Sequence, residues 1–306
     1  METNSTIENQ IKNLKEKNDI VILAHYYVDG KVQEAADYVG DSYYLSEIAT
    51  RVKQKNIVFA GVSFMGESAK ILNPEKNVYL ADRFSDCPMA HMVKKERIRE
   101  VRELNSDLAV VCYVNSTAEI KAESDVCVTS SNALRVIRNL PNKRIFFIPD
   151  NNLGKYVASQ IPEKEFIFHD GYCHVHTGIL KENVLIGKEI HPEALVLAHP
   201  ECTFDVLEIA DFVGSTSEII NYATNSSHDS FIICTEMGIA YELQNKNPNK
   251  KFYSVGSHQM CRNMKRITIP KLIQTMDELN YQIELDPELM RKAYLPLARM
   301  LELAKQ

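Results

Sequence analysis

No uninterrupted apolar run in these 306 residues approaches the ~20 needed to cross a bilayer, so no membrane-spanning helix is expected. The start, Met1-Glu-Thr-Asn-Ser5, is polar and has no charged-then-apolar signal pattern. The expectation is therefore a cytoplasmic protein. A basic surplus is also missing. The 35 Lys and Arg stand against 41 Asp and Glu, a net charge of −6, so nucleic acid is not the expected partner. The local basic run Lys94-Lys-Glu-Arg-Ile-Arg99 has the spacing of one solvated helix face. No low-complexity segment, disordered linker or Cys-x-x-Cys pair occurs. Seven cysteines are an odd number, and without an export signal they favour thiol or metal chemistry over a disulfide frame.

What the chain does contain is one pattern three times. Leu195-Val-Leu-Ala-His199-Pro-Glu201-Cys202 runs on through Asp211 to Gly214-Ser215-Thr216. Ile22-Leu-Ala-His25 leads to Asp37 and Gly40-Asp-Ser42, and Val110-Val-Cys-Tyr113 leads to Asp125 and Thr129-Ser130. From the polar residue after the strand, the Asp is 12 positions on and the hydroxyl 17, in every copy. Successive copies shift by 88 (25 to 113) and then 86 (113 to 199). Lys76, Lys164 and Lys250, each two residues after a proline (Pro74, Pro162, Pro248), obey the same shifts. Length alone suggests about two domains of ~150 residues. The repeat replaces them with three units of about 90, too long for solenoid repeats of roughly 20 to 50.

Each copy alternates short apolar runs with helical patterns. In the first, 20–24, 57–60 and 78–81 read as strands, and 5–17, 31–39, 42–53 and 67–72 as helices. Strands at 108–112, 126–129, 145–148 and 165–168 follow in the second copy, and at 194–198, 212–213, 231–234 and 251–255 in the third. Continuous apolar strands of this length suit a parallel sheet buried on both faces. The expected class is α/β: three homologous three-layer αβα domains with parallel sheets around a pseudo-threefold axis. Their expected bounds are 1–93, 94–181 and 182–306, and helices over 268–279 and 287–305, outside the repeat, are free to pack back on the first domain. Asp37, Asp125 and Asp211 read as structural residues in mid-helix.

Aligning the copies sorts the thiols. Cys112 falls opposite Ala24 and Ala198, Cys127 opposite Val39 and Val213, Cys202 opposite Val28 and Ser116, and Cys234 opposite Ala60 and Ile148. Apolar or small counterparts mark these four as buried filler. Cys87, Cys173 and Cys261 instead follow the last strand of each copy, 11, 9 and 11 residues after the shared Lys. A single buried Cys is more often structural than functional, but recurrence at one topological position reverses that weighting. Ligands of parallel α/β sheets sit at the carboxyl ends of strands. Three domains facing one axis would bring three thiolates together there, and a cation must compensate them. Zinc with a water as fourth ligand and an iron–sulfur cluster with one iron lacking a cysteine both fit. The missing Cys-x-x-Cys pair favours the cluster.

The same geometry delivers His25, Tyr113 and His199 from the first strand ends, with Tyr27, Asn115 and Glu201 two positions later. Ser42, Ser130 and Thr216 come from the following turn. Hydroxyls, an amide and imidazoles beside helix-start N–H groups suit carboxylate or phosphate oxygens. Tyr27 and Glu201 are the candidates for proton transfer. Taken singly, each hydroxyl is more simply a helix cap, and each histidine a satisfied surface or core residue. His174 and His176 lack counterparts in the other copies, so His176 is read as a pocket contact rather than a metal ligand.

The segments AHYY with ADYVGDS, GVSFMGESAKIL, CYVNS with DVCVTSSNA, GYCHVH, HPEC with ADFVGSTSEII, and TEMG with CRNMK resemble quinolinate synthases of the short, iron–sulfur A type. The likeness runs in order across nearly the whole chain. It implies one 4Fe-4S cluster per chain on Cys87, Cys173 and Cys261, with the thiolate-free iron acting as Lewis acid in dehydration. The implied reaction condenses iminoaspartate (iminosuccinate) with dihydroxyacetone phosphate to quinolinate, phosphate and two waters, in de novo NAD biosynthesis. An L-aspartate oxidase or dehydrogenase would supply the iminoaspartate. By motif, His25, Ser42, Tyr113, Val114, Asn115, Ser130, His199, Pro200, Glu201 and Thr216 would bind substrate, Tyr27 and Glu201 would serve acid–base steps, and His176 would line the pocket. The chain departs from the family at Val28, where Gln is common and a secondary pocket contact is expected to change. It departs again at Ser85-Asp86-Cys87-Pro88, where a Gly-Cys surround is commoner. Before Cys261 the CxxCxxC run of longer members is missing, so no regulatory disulfide is expected there. Two other readings stay open: a hydrolase using zinc on the three cysteines, and a non-catalytic metabolite- or redox-sensing protein.

Overall fold

A computed structural model describes residues 4–305; the polar start Met1-Glu-Thr falls outside them. The chain folds into three four-stranded sheets, all parallel. The first holds β1 (Ile20–His25), β2 (Tyr38–Gly40), β3 (Asn56–Ala60) and β4 (Asn77–Leu80). The second holds β5 (Leu108–Tyr113), β6 (Val126–Val128), β7 (Arg144–Ile148) and β8 (Glu165–Phe168). The third holds β9 (Leu195–Ala198), β10 (Phe212–Val213), β11 (Ser230–Cys234) and β12 (Lys251–Ser254). Helices connect and flank the strands of each sheet, giving the α/β class read from the sequence. Among the described residues no helix is long and apolar enough to cross a membrane.

The strand order is the same in all three sheets: β2-β1-β3-β4, β6-β5-β7-β8 and β10-β9-β11-β12. Registers match too. Ala24 pairs with Val39 and Ala60, Cys112 with Cys127 and Ile148, and Ala198 with Val213 and Cys234. Every residue of β1 and β5 is buried, as strands covered on both faces require. In this order the chain leaves β1 toward one edge and β3 toward the other. Their carboxyl ends therefore open a crevice at a topological switch point.

Two expectations fail in the first repeat. Residues 31–39 do not form one helix: Gly30–Ala35 is helical and Tyr38–Gly40 is the edge strand β2. Asp37, Asp125 and Asp211 accordingly lie just before edge strands and not in mid-helix. The cause is a clamp repeated three times. Each Asp donates its N–H to the carbonyl of Ile22, Val110 or Val196 (3.0, 2.9 and 2.9 Å). Its carboxylate takes the N–H of that same residue (2.8, 2.7 and 2.8 Å). The two bonds satisfy both backbone groups and launch the short strand in register.

The shared lysines are structural as well. Lys164 Nζ donates to the carbonyls of Leu140 (2.7 Å) and Asn142 (2.8 Å), and Lys250 Nζ to those of Ala223 (2.7 Å) and Ser226 (2.7 Å). Lys76 does the same with Val52 and Gln54. Each ammonium neutralises carbonyls at or just beyond a helix C-terminus.

Helices Ile269–Glu278 and Pro287–Leu303 follow the repeats. The first packs on helix Asn4–Lys17 and on β3. Between them the chain lies antiparallel along β4: Leu80 N–H donates to Tyr281 O (3.1 Å) and Ile283 N–H to Val78 O (2.8 Å). Helix Pro287–Leu303 lies across both of the first two repeats. As a result, those repeats and both terminal helices share one hydrophobic core, while the third repeat buries separate clusters on its sheet.

Candidate active site

The carboxyl ends of all three sheets face one cavity, which encloses about 770 Å³ of space free of protein atoms, part of it continuous with solvent. His25, Tyr27 and Ser42 reach it from the first repeat, Tyr113, Asn115, Ser130 and His176 from the second, and His199, Glu201 and Thr216 from the third. Cys87, Cys173 and Cys261 line the same cavity, one from each repeat. These three thiols are partly exposed, whereas Cys112, Cys127, Cys202 and Cys234 are buried.

Not every expected residue is there. The side chain of Val114 belongs to the hydrophobic core, and Pro200 is buried without lining the cavity. Both sit between lining residues, in the bend or turn that follows the first strand, where the Ser116 N–H donates to Val114 O (2.7 Å) and the Cys202 N–H to His199 O (2.9 Å). Val28, expected to alter a pocket contact, is wholly buried core. Ser42 and Thr216 are not the helix caps. Asp41 caps one helix by accepting the Tyr44 N–H, and Ser215 caps the other in a capping box with Glu218. The hydroxyls one residue on are thereby freed for the cavity.

The first strand ends of repeats one and three share a construction. The Tyr27 N–H donates to His25 Nδ1 (3.1 Å), and the Glu201 N–H to His199 Nδ1 (3.3 Å). An Nδ1 that accepts must leave the proton on Nε2, so each ring presents an N–H donor from its far side. Burial, above all, pushes His25 down to about 3, with Lys265 adding to it and Glu201 opposing. His199 is likewise pushed down to about 3, first by burial and then by His176, again against Glu201. Both rings are neutral at pH 7.

The repeats also interlock through their polar tips. Tyr27 OH shares hydrogen bonds with Thr216 Oγ1 (2.8 Å) and Thr235 Oγ1 (3.0 Å) of the third repeat. His199 Nε2–H donates to Ser130 Oγ of the second (3.2 Å). Gly238 allows the third repeat to approach the first: a Cβ there would lie 2.7 Å from both Tyr26 O and the Tyr27 Cα.

Glu201 is almost fully buried, with His176 Nδ1 at 2.6 Å from Oε2. Burial works to raise this carboxyl, but His176, His199 and Tyr113 together hold it down at about 2. Among the described residues its Oε1 makes no hydrogen bond of good geometry, and neither does Asn115 Oδ1. Tyr27 and Tyr113 are pushed well above the usual phenol range, by burial first and then by Glu201. They are donors at neutral pH.

Burial and then Cys261 push the Cys87 thiol up to about 12. Burial, Glu201 and Cys87 raise Cys173, and burial and Glu236 raise Cys261. Free thiols crowded by burial and by one another ionise when a cation joins them. This donor set fits a cluster held by three cysteines, with no fourth thiol at the cavity. Cys173, His176 and Glu201 form a second possible metal-binding group, with ligand atoms within 4.8 Å of one another. There, however, His176 Nδ1 and Glu201 Oε2 are already bonded to each other.

The sequence reading gave no role to Thr235 and Glu236, although both lie in its TEMG segment. Thr235 is buried and joins His176 Nε2 (2.9 Å) to Tyr27. Buried Glu236 accepts the N–H of Cys261 (3.0 Å) and of Gly238 (2.6 Å), and pairs with Lys265 (3.1 Å). Their position directly after the third strand of a repeat, at the switch point, was the signal available.

Three parallel α/β units that bring imidazole, carboxylate, phenol and thiol groups to one crevice define an enzyme that works on small polar molecules. Comparison with known proteins narrows the class. Residues 9–302 match the family described as Quinolinate synthetase A protein. Quinolinate synthase of Fusobacterium nucleatum is 50% identical over 298 residues, covering 97% of this chain and 99% of that one. The Clostridioides difficile enzyme of the same name is 48% identical over 97% of both chains, and that of Caldicellulosiruptor saccharolyticus 47% over 97% and 98%. The chain belongs to the quinolinate synthase family.

Proposed function

We propose that this cavity condenses iminoaspartate with dihydroxyacetone phosphate to quinolinate, phosphate and two waters. A 4Fe-4S cluster would be held by Cys87, Cys173 and Cys261. When bound, such a cluster supplies an iron without a thiolate, a Lewis acid that eases loss of a substrate hydroxyl as water. The observation that carries this reading is the arrival of one thiol from each repeat beside two neutral, tautomer-fixed histidines.

The protein's own groups have separable tasks. His25 and His199 present Nε2–H donors, suited to a dicarboxylate, and stay uncharged while doing so. Ser42, Ser130 and Thr216 add hydroxyls at or near helix starts, where N–H groups favour anions. Glu201 Oε1, ionised and without a hydrogen bond of good geometry, accepts a proton from bound substrate, while the His176 Nδ1–H holds Oε2 in place. Tyr27, kept as a phenol, donates. The largely buried setting limits contact of bulk water with an imine that water would hydrolyse. We place the enzyme in the cytoplasm, receiving iminoaspartate from an L-aspartate oxidase or dehydrogenase.

The test is direct. Anaerobically purified protein, reconstituted with iron and sulfide and reduced, is given iminoaspartate and dihydroxyacetone phosphate. Quinolinate is expected by chromatography with its ultraviolet spectrum. A cluster-replete protein that makes none overturns the reading.

A further inference from the structure

The three cysteines are held by related but unequal cradles. In every repeat the residue two before the cysteine is tied to the start of the helix after the third strand. The N–H groups of Ser63, Asn151 and Met237 donate to the carbonyls of Ser85 (2.9 Å), Gly171 (2.8 Å) and Gln259 (2.8 Å). One position before those amides the repeats part company: Val62, Asp150 and Glu236 are equivalent by register. Glu236 Oε1 accepts the main-chain N–H of Cys261 at 3.0 Å. Burial and then Glu201 push the Asp150 carboxyl well above its usual range, with the N–H of Cys173 among the groups opposing them, and among the described residues its Oδ2 has no hydrogen bond of good geometry. Val62 offers no acceptor. In the first repeat the Cys87 N–H instead donates to Asp86 Oδ1 at 2.8 Å. That same oxygen accepts the Ser63 hydroxyl (2.5 Å), and Oδ2 pairs with His91 Nε2 (2.7 Å).

We infer that Asp86 is a positioning residue for Cys87, replacing the carboxylate that the other two repeats carry at the end of their third strand. The carboxylate has moved from the strand end to the residue beside the thiol, and Ser63 and His91 anchor it there. The replacement is the most exposed of the three: Asp86 keeps 45% of its side-chain surface, while Asp150 and Glu236 are fully buried. Fixing the amide fixes the Cα–Cβ direction of Cys87.

This inference rests on the cluster reading above, and one experiment separates the two. Full-length protein is loaded anaerobically with iron and sulfide, and cluster loss to an iron chelator is followed by visible absorption, with melting of the cluster-free protein as folding control. Wild-type protein that binds no iron and sulfide overturns the cluster reading itself. With wild-type protein loaded, Asp86→Ala is expected to lose iron about ten-fold faster. Asp86→Asn, whose amide oxygen still accepts both donors, is expected to stay near the wild-type rate. If Asp86→Ala loses iron at the wild-type rate, or Asp86→Asn is as labile as Asp86→Ala, the positioning role is overturned. Should Asp86→Ala fail to fold, Ser63→Ala, which removes one anchor of Asp86, carries the test: faster loss supports the role and an unchanged rate overturns it.

Discussion

The edge-strand starts and the carboxyl ends of the three sheets are built on opposite rules. Where each edge strand begins, Asp37, Asp125 and Asp211 make the same two bonds in every copy, and Lys76, Lys164 and Lys250 close the same helix ends. At the cavity, equivalent positions hold His25, Tyr113 and His199, then Tyr27, Asn115 and Glu201. Positions that agree among copies answer to backbone hydrogen bonding, which is the same problem in each sheet. Positions that differ answer to one asymmetric molecule, which three identical corners could not match. The hydroxyls of Ser42, Ser130 and Thr216 and the three cysteines agree among copies and also face the cavity; for the thiols, that is what a centre bound from three sides requires.

Breaking that contrast at the cysteines should have the largest effect. Cys173→Ala is expected to abolish cluster iron and sulfide after anaerobic reconstitution, while Cys112→Ala, buried in the second sheet, keeps them. The reverse result would end the assignment by register. Acid comes next. His25 and His199 lie near 3 when folded, against 6.5 as the ordinary value, so below pH ~6.5 the unfolded chain binds protons that the folded one refuses. Their contribution is complete above that value and is lost progressively as pH falls toward 3, by on the order of a few kcal/mol. Glu201, held near 2, adds loss of the same sign below its ordinary value. His25→Gln should flatten the decline of melting temperature between pH 6.5 and 4; an unchanged slope would place the acid lability elsewhere. The smallest effect should come from the edge-strand clamp. Asp125→Ala removes an acceptor from the Val110 N–H and is expected to cost about 1–3 kcal/mol of stability by denaturant unfolding. Activity per folded molecule should not change, and a fall in it would erase the distinction between the two regions.

Much of this was legible in the chain because repetition supplies an internal alignment. Cys112, Cys127 and Cys234 aligned with apolar residues on paper and occupy the equivalent strand positions in the sheets. What escaped was short or depended on side-chain direction. Strand β2 has only Tyr38, Val39 and Gly40, too few to show a period of two, and the Asp37 clamp that sets it is a tertiary bond. Val28, Val114 and Pro200 lie in the right segments but face away from the cavity, which segment identity cannot reveal. Thr235 gains its role only when the third repeat meets the other two, and Glu236 only when its own repeat folds Cys261 and Lys265 back upon it. Asp86 was visible as an anomaly, but its meaning required Ser63, far off in sequence, to be seen beside it.

The antiparallel segment Tyr281–Ile283 lies along β4, an element finished by residue 80. A nascent chain folding from its beginning therefore keeps that sheet border unpaired until some two hundred further residues have been made. An open border is a template for the wrong partner, and so distant a closure is slow to form. Synthesis stalled before this point would leave a sticky intermediate whose natural cover has not yet left the ribosome.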